Sequence, residues 1–184
     1  MSDVSAIRQQ YQALITREHE VFEGVDEELA AQRPSPGRWS MAECIAHLNV
    51  TGDPYLESLT SMMDDAERRQ TPRRRAHGPG VFARWLTRTL EPPYRLRVKT
   101  FTRFEPQAGA GLTQTLSMFE KQQQSFLGLI ERMERQGVPR MRVASPVQPL
   151  LRLHADDWLR FLAAHARRHL WQAEQVHAEC VRGF

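Results

Sequence analysis

HARRHL, residues 165–170, places two imidazoles four residues apart in a stretch whose apolar positions recur with the period of a helix. The stripe runs Trp158, Phe161, Leu162, His165, His169, Gln172, Val176, so both histidines replace apolar residues on the face that must turn inward. Side chains at i and i+4 stand about 5–6 Å apart at Cβ, close enough for two rings to converge on one ion. A third imidazole, His47, lies on another apolar stripe, with Cys44, Leu48, Thr51, Tyr55, Leu59 and Met62. Three inward histidines are costly unless paired or ligated. Three neutral imidazoles with no fourth protein ligand form a divalent-metal site open to water or substrate, whereas a structural site is closed by a fourth. Cys44, one turn before His47, is the nearest such ligand, but it reads first as a small core residue.

The other histidines read as structural. His19 sits among Arg17, Glu18 and Glu20 and belongs on the surface, and His77 lies in an arginine-rich stretch. His154 reads as a packing residue near the start of the last helix, and His177 is rotated off the stripe toward solvent. Gly-rich phosphate loops, C-x-x-C, G-x-S-x-G and H-E-x-x-H are all missing from the sequence, so any chemistry rests on the metal.

Four helical segments must position these residues. Val4, Ile7, Tyr11, Leu14, Ile15, Phe22, Val25 and Leu29 mark one long helix that ends before RPSPGRW. The second starts at Ser40, where Ser40-x-x-Glu43 is a capping box. Gly52-Asp53-Pro54 either kinks it or starts a new helix, with Asp53 as cap. Residues 69–111 read as a crossover connection. It contains a short helix in GVFARWLTRTL and an extended or edge-strand segment in YRLRVKTFTRF. The third long helix spans about Leu112 to Gln136 and stops at Gly137 and Pro139; the fourth spans about Asp156 to Val181. No strand alternation of any length competes. The reading is one all-α domain over residues 1–184, a four-helix bundle with a long crossover between helices 2 and 3.

Composition is consistent with that. At 41% hydrophobic and 26% charged residues the chain is neither disordered nor fibrous. No apolar run is long enough to cross a bilayer, and MSDVSAIRQQYQ has no secretory pattern. Two cysteines, Cys44 and Cys180, suit reduced thiols and a cytoplasmic location. A net charge of +3 is weak support for nucleic-acid binding. RRQTPRRR, residues 68–75, reads as a solvated loop; its functional alternative is a patch for phosphate or an acidic ligand.

GRWSMAECIAHLN, a Trp-Ser helix start followed by His-Leu, resembles the second-helix motif of the DinB/YfiT-like superfamily, and FLAAHARRHLWQAEQV resembles its last-helix motif. The resemblance implies an up-up-down-down four-helix bundle, often a homodimer. It also implies a divalent metal, zinc or nickel with iron or manganese as further options, on His47, His165 and His169. It further implies a thiol-dependent S-transferase or isomerase of the bacillithiol, mycothiol or glutathione type acting on a small-molecule substrate. The alternatives are a metal-dependent hydrolase and a non-catalytic binding protein. Arg168, or Arg73 to Arg75, is a candidate to hold a thiol cofactor's carboxylates, though each reads first as a solvated surface residue, and no catalytic or cofactor-binding residue is assigned.

Overall fold

A computed structural model describes residues 3–76, 78–93, 102–106 and 111–182. The first apolar stripe forms not one helix but two. α1 covers Asp3–Phe22 and α2 Glu27–Ala31. Gly24 takes the left-handed backbone (φ 72°) that ends a helix, and Asp26 starts the next by accepting the Leu29 N–H at 2.9 Å. Glu27 then accepts the amide of Leu112, tying α2 to the head of α5 (Leu112–Gln136).

α3 (Met41–Arg68) begins at Ser40 with the expected capping box, the Ser40 hydroxyl accepting from Glu43 and the Glu43 carboxylate from Ser40 N–H. It continues unbroken through Gly52-Asp53-Pro54. Proline removes the backbone donor that would meet the Val50 carbonyl, and α5 separately makes polar contacts just before it. The buried Gln122 amide donates to the Asn49 carbonyl at 2.9 Å and to Asp53 Oδ1 at 2.7 Å. Glycine at 52 permits this approach, since a Cβ there would meet the Gln122 side chain at 2.2 Å. Gly52→Ala, which helix propensity alone would favour by about 1 kcal/mol, is therefore expected to destabilise. Displacing a buried, doubly bonded amide sets the cost at roughly 1–3 kcal/mol. Urea unfolding reads this directly, and a neutral or stabilising result would mean that Gln122 moves aside freely.

α4 covers Val81–Arg88, within the expected short helix, and α6 covers Ala155–Arg182. The long helices pack α1 on α5 and α6, and α3 on α5 and α6. Trp158, Tyr11, Phe119 and Phe126 fill the centre, and the Tyr11 hydroxyl donates to the Leu159 carbonyl at 3.0 Å. Short strands add to the helices. β1 (Arg73–Arg74) pairs antiparallel with β2 (Val138–Pro139), and β3 (Arg142–Ala144) with β4 (Arg152–His154). At two or three residues each, they carry no alternation a sequence pattern could show. Of the expected extended segment, residues 94–101 lie outside the described residues, and Thr102–Phe104 form a 3-10 turn instead of a strand. No helix among the described residues is long and apolar enough to cross a membrane.

Candidate metal centre

His47 lies in the second turn of α3, while His165 and His169 lie one turn apart in the middle of α6, and the packing of α3 on α6 brings them together. One ring nitrogen from each falls within 4.8 Å of the other two. Ring centroids stand 4.6 Å apart for His47–His169 and 4.7 Å for His165–His169. His47 Nδ1–H donates to the Phe104 carbonyl at 2.7 Å, which leaves the Nε2 lone pair free to face His165 Nε2 at 3.3 Å. Two ligand nitrogens, each about 2.1 Å from a tetrahedral ion, lie about 3.4 Å apart. Nδ1 of His169 is buried with no hydrogen-bond partner.

Burial makes all three rings hold their protons poorly. It pushes the His165 pKa down to about 3, helped by His47 and by the Arg168 guanidinium. It lowers His169 well below the usual value, helped by His165, His47 and Arg168, with the Gln172 side chain pulling weakly the other way. His47 is lowered by burial, against which its bond to Phe104 acts. The rings are thus neutral at physiological pH, the form that binds a metal. A close neutral donor set with an orphaned buried nitrogen fits a divalent ion. Among the described residues no cysteine or carboxylate joins the cluster. Cys44 is fully buried, its thiol pKa pushed up by that burial, and it serves as core.

The triad opens onto a cavity of about 280 Å³ between α3, α4, α6 and the β3–β4 loop. Its walls are mainly apolar, with Leu86, Leu90, Phe161 and Leu151 prominent. Arg103 ties two walls together by donating to the Pro146 and Val147 carbonyls at 2.7 and 3.1 Å. Tyr55 lies two turns after His47 on the same face and meets Ser145 Oγ at 2.7 Å. That oxygen also accepts the amides of Val147 and Gln148, both at 3.1 Å. With its lone pairs so used, Ser145 donates to Tyr55, and the Tyr55 O–H is left to face the cavity. Trp39 leans on the triad, its ring 4.8 Å from His47.

Of the expected site residues the structure therefore gathers His47, His165, His169 and Arg168 at one cavity. Arg73 to Arg75 do not line it. Arg74 instead grips the buried Asp156 carboxylate at 2.6 and 3.1 Å, Arg73 reaches Met63, and Arg75 is exposed. This corrects the solvated-loop reading for Arg73 and Arg74, because β1 pins them against β2 and the head of α6, while Arg68, Arg69, Gln70, Pro72 and Arg75 are exposed as expected. His154 packs in β4, with Nδ1–H on the Met141 carbonyl at 3.0 Å, and His177 is half-buried. His19 is exposed as expected, but it is paired with Glu120, and His77 lies outside the described residues. Tyr55 was legible in the i, i+4, i+8 run from His47. The Phe104 carbonyl was not, since every residue carries one. A larger groove of about 930 Å³ beside α1 and α6 lacks the triad. Arg17 and Arg167, which line it, are paired with Glu174 and Glu91.

A family profile described as the DinB superfamily matches residues 10–173. Comparison with curated proteins and with solved structures returns no match.

Proposed function

Because this chain belongs to the DinB superfamily, we propose that His47, His165 and His169 hold one divalent metal ion, zinc or nickel before iron or manganese, and that the site catalyses thiol-dependent S-transfer to a small electrophile. The observation that carries the reading is three neutral imidazoles from two helices, joined by no fourth ligand among the described residues, opening onto an apolar cavity. Bound there, such an ion favours the ionised form of a thiol or of water at neutral pH.

The chain's own residues do the rest. The Phe104 carbonyl holds His47 in the tautomer that presents Nε2. Arg168, buried beside the triad, supplies fixed positive charge for an anionic thiolate or for a thiol cofactor's carboxylate. The Tyr55 O–H donates to an electrophile's oxygen in the cavity. Leu86, Leu90 and Phe161 exclude water, which strengthens each of these interactions. The proposed frame is the single four-helix-bundle domain of the family with a long crossover, a cytoplasmic protein and a homodimer.

The same open donor set ionises water as readily, so metal-dependent hydrolysis is the second reading. Untagged protein purified without chelators is expected to retain metal, and His165→Ala/His169→Ala to hold about one equivalent less. Turnover of electrophiles should rise at least tenfold with one of bacillithiol, mycothiol or glutathione. Equal metal in both proteins would sink the triad; metal-dependent turnover indifferent to every thiol would select the hydrolase.

A further inference from the structure

On α1 and α5, away from the residues that build the histidine cavity, two carboxylates and an imidazole converge. His19 Nε2 lies 2.6 Å from Glu120 Oε1 and 3.4 Å from Glu18 Oε2, and the three ligand atoms fall within 4.8 Å of one another. His19 and Glu120 are exposed, but the Glu18 side chain is only 1% exposed, and its Oε2 has no hydrogen-bond partner. An ionised carboxylate in that position is expensive unless neutralised. The charges that act on Glu18 are His19 and a second carboxylate, Glu120, and one imidazole cannot neutralise both. Burial accordingly pushes the Glu18 pKa up to about 7, and the His19 pKa is raised by Glu120 first.

We propose that Glu18, His19 and Glu120 form a second divalent-cation site, which bridges α1 and α5 and is independent of the histidine triad. One imidazole nitrogen with two carboxylate oxygens suits zinc, manganese, cobalt or nickel, and is a poor set for calcium or magnesium, which take oxygen ligands. The 3.4 Å between His19 and Glu18 equals the ligand spacing about a tetrahedral ion with bonds of about 2.1 Å. Glu120, exposed and on its own helix, has only to open its 2.6 Å hydrogen bond to admit the ion. The two exposed ligands give the ion a path in, while the buried one gains most from its arrival. The cation fastens α1 to α5, a pair that packs directly but contributes no ligand to the triad.

Zinc titration against a chromophoric chelator tests this on the stripped full-length chain, with His19→Ala/Glu120→Gln, Glu18→Gln and His165→Ala/His169→Ala beside it. The wild type is expected to bind two equivalents. The His19→Ala/Glu120→Gln protein should lose one and keep the other, and Glu18→Gln should weaken that same equivalent at least tenfold. The outer ligands are exposed, so that variant is expected to fold, and circular dichroism checks it. Unchanged stoichiometry and affinity in His19→Ala/Glu120→Gln would overturn the proposal. So would loss in that variant with none in Glu18→Gln, because the site would then be an ordinary surface pair. A single wild-type equivalent that disappears only with His19 and Glu120 would uphold this site while removing the triad reading; one that disappears only with His165 and His169 would do the reverse.

Discussion

Leucine at His165 is expected to make the metal-free protein more stable and the zinc-saturated protein less stable than the wild type. The ring sits in the apolar stripe of α6, where Phe161 stacks on it and His47 and His169 lie edge-on. With chelator present, leucine replaces a desolvated polar ring by an apolar side chain of similar size, a gain of about 1–2 kcal/mol. Acid enlarges the difference. The folded-state pKa, pushed down to about 3, lies below the unfolded value near 6.5. Between those pH values the unfolded chain binds a proton that the folded chain refuses. Wild-type stability is therefore lost as pH falls through that window, by about 1.4 kcal/mol per unit from this ring. His165→Leu removes that slope. Zinc reverses the order, since an ion at a hundred times its dissociation constant stabilises the wild type by about 2.7 kcal/mol and cannot do so in the variant. Urea unfolding at pH 5 and pH 7.5, with EDTA and with zinc, reads all four values, and a zinc contribution from Glu18, His19 and Glu120 is common to both proteins. A variant less stable than the wild type by the same margin with and without metal would mean that His165 serves packing alone.

Arg74→Met is expected to cost about 3–5 kcal/mol, the largest effect of any single arginine in the RRQTPRRR stretch. Asp156 is 1% exposed, and Arg74 satisfies both of its oxygens. Without that guanidinium, the carboxylate retains Arg160 at 3.6 Å, which Asp157 shares at the same distance. Asp157 is already pushed up by burial and by Asp156, so this end of α6 has little spare positive charge. Arg74→Met/Asp156→Leu should recover most of the loss, because a buried ion pair replaced whole by apolar groups is often neutral. Chemical denaturation of both single variants and the double variant decides it. A loss below about 1 kcal/mol for Arg74→Met would return the stretch to a solvated loop.

The α3 start, the α5 span, its stop at Gly137 and the i, i+4 histidine pair on α6 were all legible in the chain. Each rests on contacts between residues at most four apart. A capping box closes on itself, a helical stripe repeats along one element, and Gly137, at φ 79°, donates its amide to Met133 four residues back. The sequence therefore determined where the helical stretches lie, though not the break at Gly24 or the continuity through Pro54, and which three histidines lie on their inward faces.

Tertiary structure decided what those faces meet. His47 comes within 3.3 Å of His165 across 118 residues, and the Phe104 carbonyl that orients it belongs to a 3-10 turn with no side-chain signature. Pro54 stays within α3, and the Gln122 amide from α5 bonds Asn49 and Asp53 just before it, contacts that local propensity cannot contain. Arg74 looked like surface because a run of arginines does, until β1 placed it over a buried aspartate. His19 is exposed, as its charged neighbours imply, yet its partners are the adjacent Glu18, turned inward, and Glu120 on another helix. In each case the deciding energy is burial or a polar contact between residues distant in sequence. Such energy exists only once the helices have packed.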